Sequence, residues 1–390
     1  MANKQIHIDK EAVTTLSMVK EGLLSPVTGL MNENEAKEVN QTGQYKGEIF
    51  PFSFILAPSG SINEEVIAQA QKGEVLDLVC EQKIIGTIVT DETFKIDIQE
   101  RIKSIYGTNN PEHPGVQSTT TRLGNYAICG QYNVDFDDVK KHKQKCMETI
   151  QNSNAQNVSS IIISGKPFHR VHERLIRTTL VKSDLMVIFI LKNYTDELLD
   201  YDIRYKTVQY FIEHFIPKNK VVLVPLEHTY IFAGYNELLL DSIVAKNFGC
   251  NELIIGQNHA GLGAYYDHDN LKTIADTITN IDIELMSEFV YCNECTTLVS
   301  TNACPHGSHH HIKYHSSSIL DLLEMGIMPP AILMRAEISS IILSHLFPNR
   351  TEKLAKIHQD LSPSSGLLDD FESTDFYKSL MDLYQTSSLT

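Results

Sequence analysis

The sequence lacks several features that would direct a chain to a membrane, to nucleic acid or to the secretory pathway. Its 390 residues contain no apolar run of the roughly 18 residues that a membrane-spanning helix needs. The first residues, Met-Ala-Asn-Lys-Gln, carry no apolar core of a secretory signal. The formal net charge of -16 repels nucleic-acid backbones and anionic membrane surfaces. We therefore expect a cytoplasmic protein that binds neither nucleic acid nor membrane.

A phosphate-binding loop of the form Gly-x4-Gly-Lys-[Ser/Thr] is also missing, which excludes a P-loop kinase domain. Internal repeats and low-complexity tracts are not visible either. With 42% hydrophobic residues the chain has the composition of a globular protein, and its length suits two or three domains. Because the overall charge is negative, any anionic substrate must be held by a local positive site.

The hydrophobic pattern divides the chain into three parts. Residues 1–155 contain short apolar segments separated by turn residues, which predicts a strand-rich domain. In residues 156–315, apolar segments of strand length alternate with helical patterns, which predicts an α/β fold with a parallel sheet. Residues 316–390 are expected to form a small helical region whose acidic tail, from about Asp360, is partly disordered. The predicted strands of the middle part are Ser159–Ser164, Leu185–Leu191, Val221–Leu226 and Glu252–Gly256. The apolar segments of the first part include Phe50–Leu56, and the helical patterns further along the chain include Lys206–Phe215, Leu238–Lys246 and Ala331–Leu346.

The first candidate site follows the most apolar strand and reads Ser-Gly-Lys-Pro-Phe-His-Arg-Val-His-Glu, residues 164–173. His169 and His172 are three residues apart, so they share one face of the first turn of a helix. A helix N-terminus at the end of a parallel strand favours phosphate groups, to which the two imidazoles can donate hydrogen bonds. Such donors suit attack on an α-phosphorus, because charge develops on the phosphoryl oxygens. The alternative interpretation is two ordinary histidines that cap a helix.

The second candidate site also follows a predicted strand and is rich in glycine, which lets backbone N–H groups approach a nucleotide. A glycine-rich turn without a ligand is the alternative. The nucleotide-contacting candidates are Gly256, Gln257, Asn258, His259, Ala260 and Gly261, together with Ser164 and Gly165 of the first site.

The third candidate site is a cluster of cysteine and histidine. Cys292 and Cys295 form a Cys-x2-Cys pair, and Cys304 follows nine residues later. This spacing predicts a closed, tetrahedral structural zinc site without a role in the chemistry. The fourth ligand is left open between His306 and His309, and unliganded thiols are the alternative interpretation.

The order of these motifs resembles that of the ATP sulfurylase (sulfate adenylyltransferase) family, in the short form without a kinase domain. The segment Tyr-Gly-Thr-Asn-Asn-Pro-Glu-His-Pro-Gly-Val at residues 106–116 is similar to a highly specific family signature. Ser-Pro-Val-Thr-Gly at residues 25–29, Tyr265 and Tyr266, and the cysteine segment from Tyr291 to His306 also match. The resemblance extends from about Gly22 to Leu343.

This resemblance implies a PUA-like N-terminal domain, a Rossmann-like nucleotidyltransferase domain and a small C-terminal region. It also implies a reaction in which sulfate and ATP, with Mg²⁺, give adenylyl sulfate and pyrophosphate. By the family pattern His169 and His172 would contact the phosphates, and residues around Gly256–Gly261 would hold the nucleotide. A homo-oligomer is expected, as in many bacterial members.

The chain departs from the family wherever the family places anion-binding arginine. The family segment Gln-x-Arg-Asn has Ile163, Gly165 and Lys166 at its three defined positions. Arginines are also missing from the stretches that correspond to Gly-Arg-Asp-His, Arg-Tyr-Ala-Gly-Pro-Arg-Glu and Ser-Gly-Thr-x-x-Arg, which are here residues 256–259, 231–237 and 315–320. Lys166 could replace one charge, as a point charge rather than a fork.

The missing arginines are expected to weaken binding of the acceptor, sulfate, more than binding of the nucleotide. Each charge-assisted hydrogen bond contributes about 1.5–3 kcal/mol, so losing several would weaken sulfate binding by several powers of ten. The sequence is therefore consistent with three hypotheses. The protein is an ATP sulfurylase with an atypical site, an adenylyltransferase for another acceptor, or a catalytically silent homologue that acts as a binding or regulatory partner. The catalytic candidates in the first two cases are His169, His172 and Lys166.

Overall fold

The computed structural model describes residues 3–192, 198–227, 235–256, 270–313, 315–350, 353–354, 356–357 and 373–386. The chain separates into two compact units. The first comprises Met1–Ile163, Ser183–Tyr194 and Val224–Leu285, and the second comprises Ser164–Lys182, Thr195–Leu223 and Met286–Thr390. The division into three parts at residues 155 and 315 stays a prediction.

The N-terminal part of the first unit combines a sheet with six helices in the described residues. Its elements in chain order are β1 (Lys4–His7), α1 (Lys10–Lys20), α2 (Glu33–Thr42), β2 (Gln44–Tyr45), β3 (Glu48–Ile49), β4 (Leu56–Pro58), α3 (Ser61–Gln69), β5 (Val75–Cys80), β6 (Lys83–Lys95), α4 (Ile98–Tyr106), α5 (Pro114–Arg122), β7 (Leu123–Val134) and α6 (Asp138–Ser153). Five strands form one sheet in the order β1-β5-β6-β7-β4. β1 pairs with β5 in parallel, and the pairs β5–β6, β6–β7 and β7–β4 are antiparallel.

Helix α4 shows how the local sequence sets an element of this domain. The Asp97 side chain accepts hydrogen bonds from the backbone N–H groups of the first turn, and Gly107, with a φ of 72°, ends the helix. The helix buries Ile102, Ile105 and Tyr106. Ile105 and Tyr106 lie three and four residues after Ile102, so the three side chains share one face of the helix. Arg101 is buried on the same helix.

The second sheet starts with β8 (Val158–Ile163), which is followed in the chain by α7 (Arg170–Leu180), β9 (Leu185–Lys192), α8 (Tyr201–Phe215), β10 (Val221–Glu227), α9 (Tyr235–Asn247), β11 (Glu252–Ile255), α10 (Asn270–Ala275) and β12 (Asp282–Leu285). The strand order is β10-β9-β8-β11-β12, and β8 pairs in parallel with both β9 and β11. All six residues of β8, Val-Ser-Ser-Ile-Ile-Ile, are buried, as expected in the middle of a parallel sheet, and the hydroxyl groups of Ser159 and Ser160 form hydrogen bonds there. The predicted α/β fold with a parallel sheet is confirmed.

The remaining elements belong to the second unit. They are β13 (Phe289–Cys292), β14 (Thr297–Ser300), β15 (His311–Ile312), α11 (Ser316–Glu324), α12 (Ala336–Leu346) and α13 (Ser373–Thr386). The strands form a small antiparallel sheet in the order β14-β13-β15. α12 packs against α8 and α13. Among the described helices, none is long and apolar enough to cross a membrane.

Two expectations about element bounds were wrong. The apolar segment Phe50–Leu56 was expected to be a strand, but only its last residue belongs to one, β4. The helix expected from Ala331 begins at Ala336, because residues 331–334 form turns. Within the acidic tail, whose partial disorder stays a prediction, Ser373–Thr386 is helical and buries Phe376, Tyr377 and Met381. Residues 358–372 of that tail lie outside the described residues.

Candidate active site and metal centre

The segment between β8 and α7 carries the two candidate catalytic histidines. His169 is the N-cap of α7 and has an extended backbone, and His172 is the third residue of the helix. Phe168 is fully buried, and its ring stacks on His172 with the centroids 5.4 Å apart and contacts Phe211 of α8 at 5.2 Å. Because this aromatic contact fixes the residue before the cap, it also fixes where the helix begins. The helix begins after Pro167, as we expected, and Pro167 lies two residues before the cap.

The two imidazoles cap the helix on which they lie. The Nδ1 atom of His169 accepts a hydrogen bond from the Val171 N–H at 3.3 Å, and the His169 side chain also accepts one from the His172 N–H. The His169 N–H in turn donates to Nδ1 of His172 at 3.1 Å. The Arg170 N–H donates to the Leu333 carbonyl oxygen. The capping role that the sequence left open as an alternative is thus present, and the first amides of α7 already have acceptors.

This pattern assigns the imidazole protons. Since each Nδ1 accepts a backbone hydrogen bond, the neutral rings carry their proton on Nε2. Nε2 of His169 lies 2.9 Å from the Oγ atom of Ser316, whereas Nε2 of His172 forms no hydrogen bond with the residues that the structure describes. The rings are 4.1 Å apart between centroids. His172 therefore has an N–H donor available for a ligand.

Burial keeps both rings neutral. It lowers the pKa of His169 well below 6.5, and the neighbouring His172 lowers it further. Burial also lowers the pKa of His172 to about 4, although the hydrogen bond from the His169 backbone opposes that shift. At neutral pH the pair consists of hydrogen-bond donors without net charge.

We expect a corresponding pH dependence of stability. The unfolded chain protonates these histidines near pH 6.5, whereas in the folded chain the pKa of His169 lies well below that value and that of His172 is about 4, so the unfolded chain binds more protons over this range. The free energy of unfolding should therefore fall as the pH is lowered from 7 to 4. Urea unfolding of the wild type and of His172→Gln at several pH values measures this. An equal slope in both would contradict the assignment to His172.

Buried ion pairs attach α7 to the segment before α12. The Glu173 carboxylate is almost fully buried, and both of its oxygens lie 2.9 Å from Nε of Arg335. Arg170 donates from Nη1 to Glu173 at 3.2 Å and from Nε to the Ala331 carbonyl oxygen at 3.0 Å. The Arg335 guanidinium also lies over the Phe215 ring, 3.7 Å from its centroid. These contacts hold the N-terminal turn of α7, and with it the histidine pair, in a fixed position.

The arginines of α7 do not turn toward the histidines. Arg170, Arg174, Arg177 and Arg335 line a separate groove, whose lining includes neither His169, His172 nor Lys166. Arg177 donates to the Phe215 carbonyl oxygen at 2.7 Å. These side chains therefore do not replace, in this arrangement, the arginines missing from the family motif.

Sequence reasoning missed an arginine that contacts the loop before the histidines. Arg204 of α8 is buried and donates from Nη1 to the carbonyl oxygen of Ser164 at 2.6 Å and from Nε to that of Leu199 at 3.1 Å. The helix was expected to start only at Lys206, but the side chain of Asp200 caps it at Tyr201. That capping residue was the available signal for a longer helix, although nothing in the spacing shows that Arg204 turns toward Ser164.

The backbone at Gly165 explains why this position holds no arginine. Its φ of 67° lies in the left-handed region, where a side chain is strained even though a Cβ atom would meet only Arg204, at 3.9 Å. Lys166 is half-buried, and Ile163 is buried at the end of β8. The three positions therefore offer one cation and no amide or guanidinium group.

The second candidate site is described only at its first residue. Gly256 directly follows β11, and Gln257, Asn258, His259, Ala260 and Gly261 lie outside the described residues. β11 and β8 are parallel neighbours, with Glu252 paired to Ser159 and Ile254 to Ile161. Their carboxyl ends therefore lie at the same edge of the sheet, where ligands bind in open α/β folds.

Residues 231–237 correspond to another family stretch that carries arginine. The described part of this stretch, residues 235–237, has a structural role. Asn236 donates from Nδ2 to the carbonyl oxygens of Ser104 and Ile105 and so closes the last turn of α4. Glu237 and Asp241, one turn apart on α9, are both buried. Burial and the neighbouring Asp241 raise the pKa of Glu237 well above its usual value, which favours the protonated form of this carboxyl group.

The third candidate site assembles as a compact group. Cys292, Cys295, Cys304 and His306 offer ligand atoms that all lie within 4.8 Å of one another. Nδ1 of His306 is 3.4, 3.2 and 3.6 Å from the three sulfurs in that order, and the sulfurs of Cys295 and Cys304 are 3.9 Å apart. Tetrahedral zinc bonds of about 2.3 Å to sulfur and about 2.0 Å to nitrogen require separations of about 3.5–3.8 Å, and the four distances lie within about 0.3 Å of that range. His309 lies outside the group and contacts the His310 ring.

Comparison with known proteins places these features in a family. The ATP-sulfurylase family model matches residues 137–345, which is more than half of the chain, and a PUA-like domain model matches residues 1–135. The chain belongs to the ATP sulfurylase family. The PUA-like N-terminal domain inferred from the resemblance is confirmed with it.

Relatives of this ATP sulfurylase family member are similar over most of its length. The sulfate adenylyltransferase of Staphylothermus marinus is 26% identical over 357 residues, which cover 88% of this chain and 91% of that protein. The enzyme of the same name from Carboxydothermus hydrogenoformans is 24% identical over 353 residues, covering 87% and 91%. A solved structure titled hexameric APS kinase from Thiobacillus denitrificans superposes with a TM-score of 0.64 at 16% identity, over 90% of this chain and 64% of that one. This likeness supports the fold.

Proposed function

We propose that the protein is an adenylyltransferase of the ATP sulfurylase type, which converts ATP and sulfate to adenylyl sulfate and pyrophosphate. The observation that carries the proposal is the pair of neutral histidines at the start of α7, of which His169 is buried and His172 half-buried, with an Nε2–H of His172 available for a ligand. Membership of the family and sulfate adenylyltransferase relatives over nearly the whole chain support it. Mg²⁺ would enter with ATP as part of the substrate.

The reaction requires hydrogen-bond donors to the phosphates and does not require a general base. A sulfate oxygen attacks the α-phosphorus, the bond from that phosphorus to the oxygen bridging to the β-phosphorus breaks, and pyrophosphate leaves with the electron pair. Negative charge grows on the phosphoryl oxygens and the leaving group, and sulfate carries no proton that must be removed. His172 would donate from Nε2 to a phosphate oxygen, and Lys166 would contribute positive charge. A neutral imidazole suits this role, because the donor does not need to be protonated further.

The roles of the surrounding residues follow from their contacts. Phe168 and the Glu173–Arg335 ion pair hold the rings in position, and Arg204 holds the carbonyl oxygen of Ser164 on the loop that carries Lys166. A fixed donor contributes more than a mobile one, because no reorganisation is needed during the reaction. Ser164, Gly165 and the segment Gly256–Gly261 remain proposed nucleotide contacts.

A second candidate function rests on the loop at Ile163–Lys166. The left-handed backbone at Gly165 and the buried side chain of Ile163 leave one lysine where the family has Gln, Arg and Asn. An acceptor with less charge than sulfate would need fewer cations. An adenylyltransferase that uses such an acceptor is therefore the alternative, and a catalytically silent regulatory homologue is the third possibility that the test must separate.

The test uses the full-length chain with ATP, Mg²⁺, sulfate and pyrophosphatase, and it measures phosphate release with and without sulfate. Calorimetry with a non-hydrolysable ATP analogue accompanies it. Sulfate-dependent release supports the proposal. Nucleotide binding without sulfate-dependent release refutes it in favour of another acceptor, and the absence of both release and nucleotide binding refutes it in favour of a silent homologue.

Ser316 is expected to restrain the activity. The family has glycine at this position, and the hydroxyl oxygen here accepts the Nε2–H of His169 at 2.9 Å. Ser316→Gly should free that donor and raise the rate of sulfate-dependent phosphate release about fivefold, since a hydrogen bond is worth about 1 kcal/mol. The exposed Ser318 of the same helix provides the control variant Ser318→Gly. A lower rate for Ser316→Gly than for the control would show that Ser316 positions His169 instead.

Two further proposals concern the identity of the bound metal and the oligomeric state. We infer a structural zinc ion bound by Cys292, Cys295, Cys304 and His306, in support of which the group has the separations that tetrahedral coordination requires. The sheet β14-β13-β15 has only three short strands and is too small to form a hydrophobic core of its own. The bound zinc ion would stabilise this segment in place of such a core. A homo-oligomer is likewise proposed, since the similar solved chain is titled hexameric.

A further inference from the structure

A cavity in the PUA-like domain contains a buried cation that has no counter-ion among the residues described. The cavity has a volume of about 360 Å³, at the lower end of the range for small-molecule pockets. α1, β4, α4 and α5 each contribute to its lining. Much of the lining is apolar and includes Ile8, Leu16, Leu30, Phe54 and Leu56.

Arg101 is the buried cation, with 5% of its surface exposed. It donates from Nη1 to Oγ of Ser53 at 3.0 Å and lies over the Phe52 ring, 5.1 Å from the centroid. Its Nε atom is buried and has no hydrogen-bond partner among the described residues. Burial lowers the pKa of Arg101 to about 10, which leaves the guanidinium charged at neutral pH. A buried charge without a partner is costly, so the position calls for an anion.

The second arginine, the two carboxylates and the hydroxyl groups of the lining have partners within the domain. Arg122, the second arginine of the cavity, is paired with both Asp9 and Glu11, through Nε at 2.7 Å and Nη1 at 2.5 Å. The hydroxyl groups of Tyr106 and Thr119 share a hydrogen bond. The two carboxylates of the cavity are thus neutralised by Arg122 and form no ion pair with Arg101 among the described contacts. One unpaired positive charge remains, facing apolar walls.

We propose that this cavity binds a small organic carboxylate, with its carboxylate on Arg101 and its apolar body against the aliphatic and aromatic walls. A single guanidinium matches a single carboxylate in charge and in its fork geometry. Phosphate or sulfate would bring a second negative charge and would place polar oxygens against the apolar lining. The site lies in the PUA-like domain and does not depend on the proposed adenylyl transfer.

The experiment titrates the full-length protein with hexanoate and with benzoate by calorimetry, in a buffer free of other carboxylates. The neutral analogues hexanamide and benzamide serve as matched ligands without charge, and sodium sulfate tests the inorganic anion. Saturable binding of at least one acid, at least tenfold tighter than its amide and unchanged by a saturating ATP analogue, is expected. Absence of saturable binding by both acids, or binding of sulfate but of neither acid, overturns the proposal.

Variants locate the site. Arg101→Met, which keeps the length of the side chain, should weaken binding of the acid about 10- to 100-fold, the loss expected for a charge-assisted hydrogen bond. Arg101→Lys should retain more of the affinity, and Ala57→Leu should abolish binding by filling the cavity. Lys103→Met removes an exposed positive charge from the same helix and should change the affinity less than twofold. Equal affinity in Arg101→Met and Lys103→Met would refute the role of Arg101, and thermal unfolding of each variant confirms that it folds.

Discussion

Replacing His172 with alanine is expected to lower the rate of adenylyl transfer at least 100-fold. The residue supplies a donor without a described protein partner at the start of α7, and loss of one preorganised donor to a transition-state oxyanion costs about 10²–10³ in rate. The affinity for ATP should change much less, because charge on the phosphoryl oxygens increases only in the transition state. Steady-state measurement of kcat and KM for ATP separates the two effects.

His214→Ala is the control for this variant. His214 is an exposed histidine of α8 that stacks on Tyr210, so its loss removes an imidazole without touching the α7 cap. Its rate should stay within twofold of wild type. Because His172 also accepts the His169 N–H, His172→Gln provides a second variant that keeps polar groups at the position. Wild-type turnover in both His172 variants would refute the assigned role.

Removing the metal is expected to have the largest effect on stability. A structural zinc ion bound by thiolates and imidazole contributes about 10–16 kcal/mol of apparent binding free energy in small domains. Chelation, or Cys295→Ser, should therefore unfold the segment from Phe289 to Ile312 and lower the first thermal transition of the protein. Elemental analysis of the purified chain should give one zinc per chain, which Cys295→Ser loses.

The two histidine candidates give a matched pair of variants for the same site. His306 lies within 3.6 Å of each of the three sulfurs, whereas His309 belongs to no such group among the described residues. His306→Ala should lose zinc, and His309→Ala should retain it. Retention of stoichiometric zinc by His306→Ala would show that another residue completes the site.

The parallel sheet was predictable because buried strands leave a strong signal. Ile-Ile-Ile in β8 and the apolar run of β9 are continuous, and a strand that is covered on both faces favours such runs. The start of α12 could not be predicted, because residues 331–334 continue the apolar pattern but form turns. The helical tail was missed for the opposite reason. Its composition is polar overall, and only the spacing of Phe376, Tyr377 and Met381 shows that one face is buried.

The histidine pair was predictable as a position but not as a hydrogen-bond pattern. Spacing put both rings in the first turn of α7, yet it does not reveal that His169 accepts the amides of that turn or that Ser316 contacts its ring. Arg204 was not predictable, because its contact with Ser164 joins residues 40 positions apart. Three of the four candidate zinc ligands, the cysteines, were predictable from their spacing. The choice of His306 required the fold of the loop between β14 and β15.

The cap of α7 has a consequence for how a nucleotide would bind. The amides of Val171 and His172, which a phosphate at a helix N-terminus would use, are held by the His169 side chain. His169 thus acts as a tethered competitor for the anion that it would later contact. If the cap is worth about 1 kcal/mol, displacing it lowers the apparent affinity for that anion about fivefold. Without nucleotide, the cap provides a hydrogen-bond acceptor for the buried amides at the start of α7. When a phosphate binds these amides, it displaces the His169 imidazole, which is then next to the phosphate.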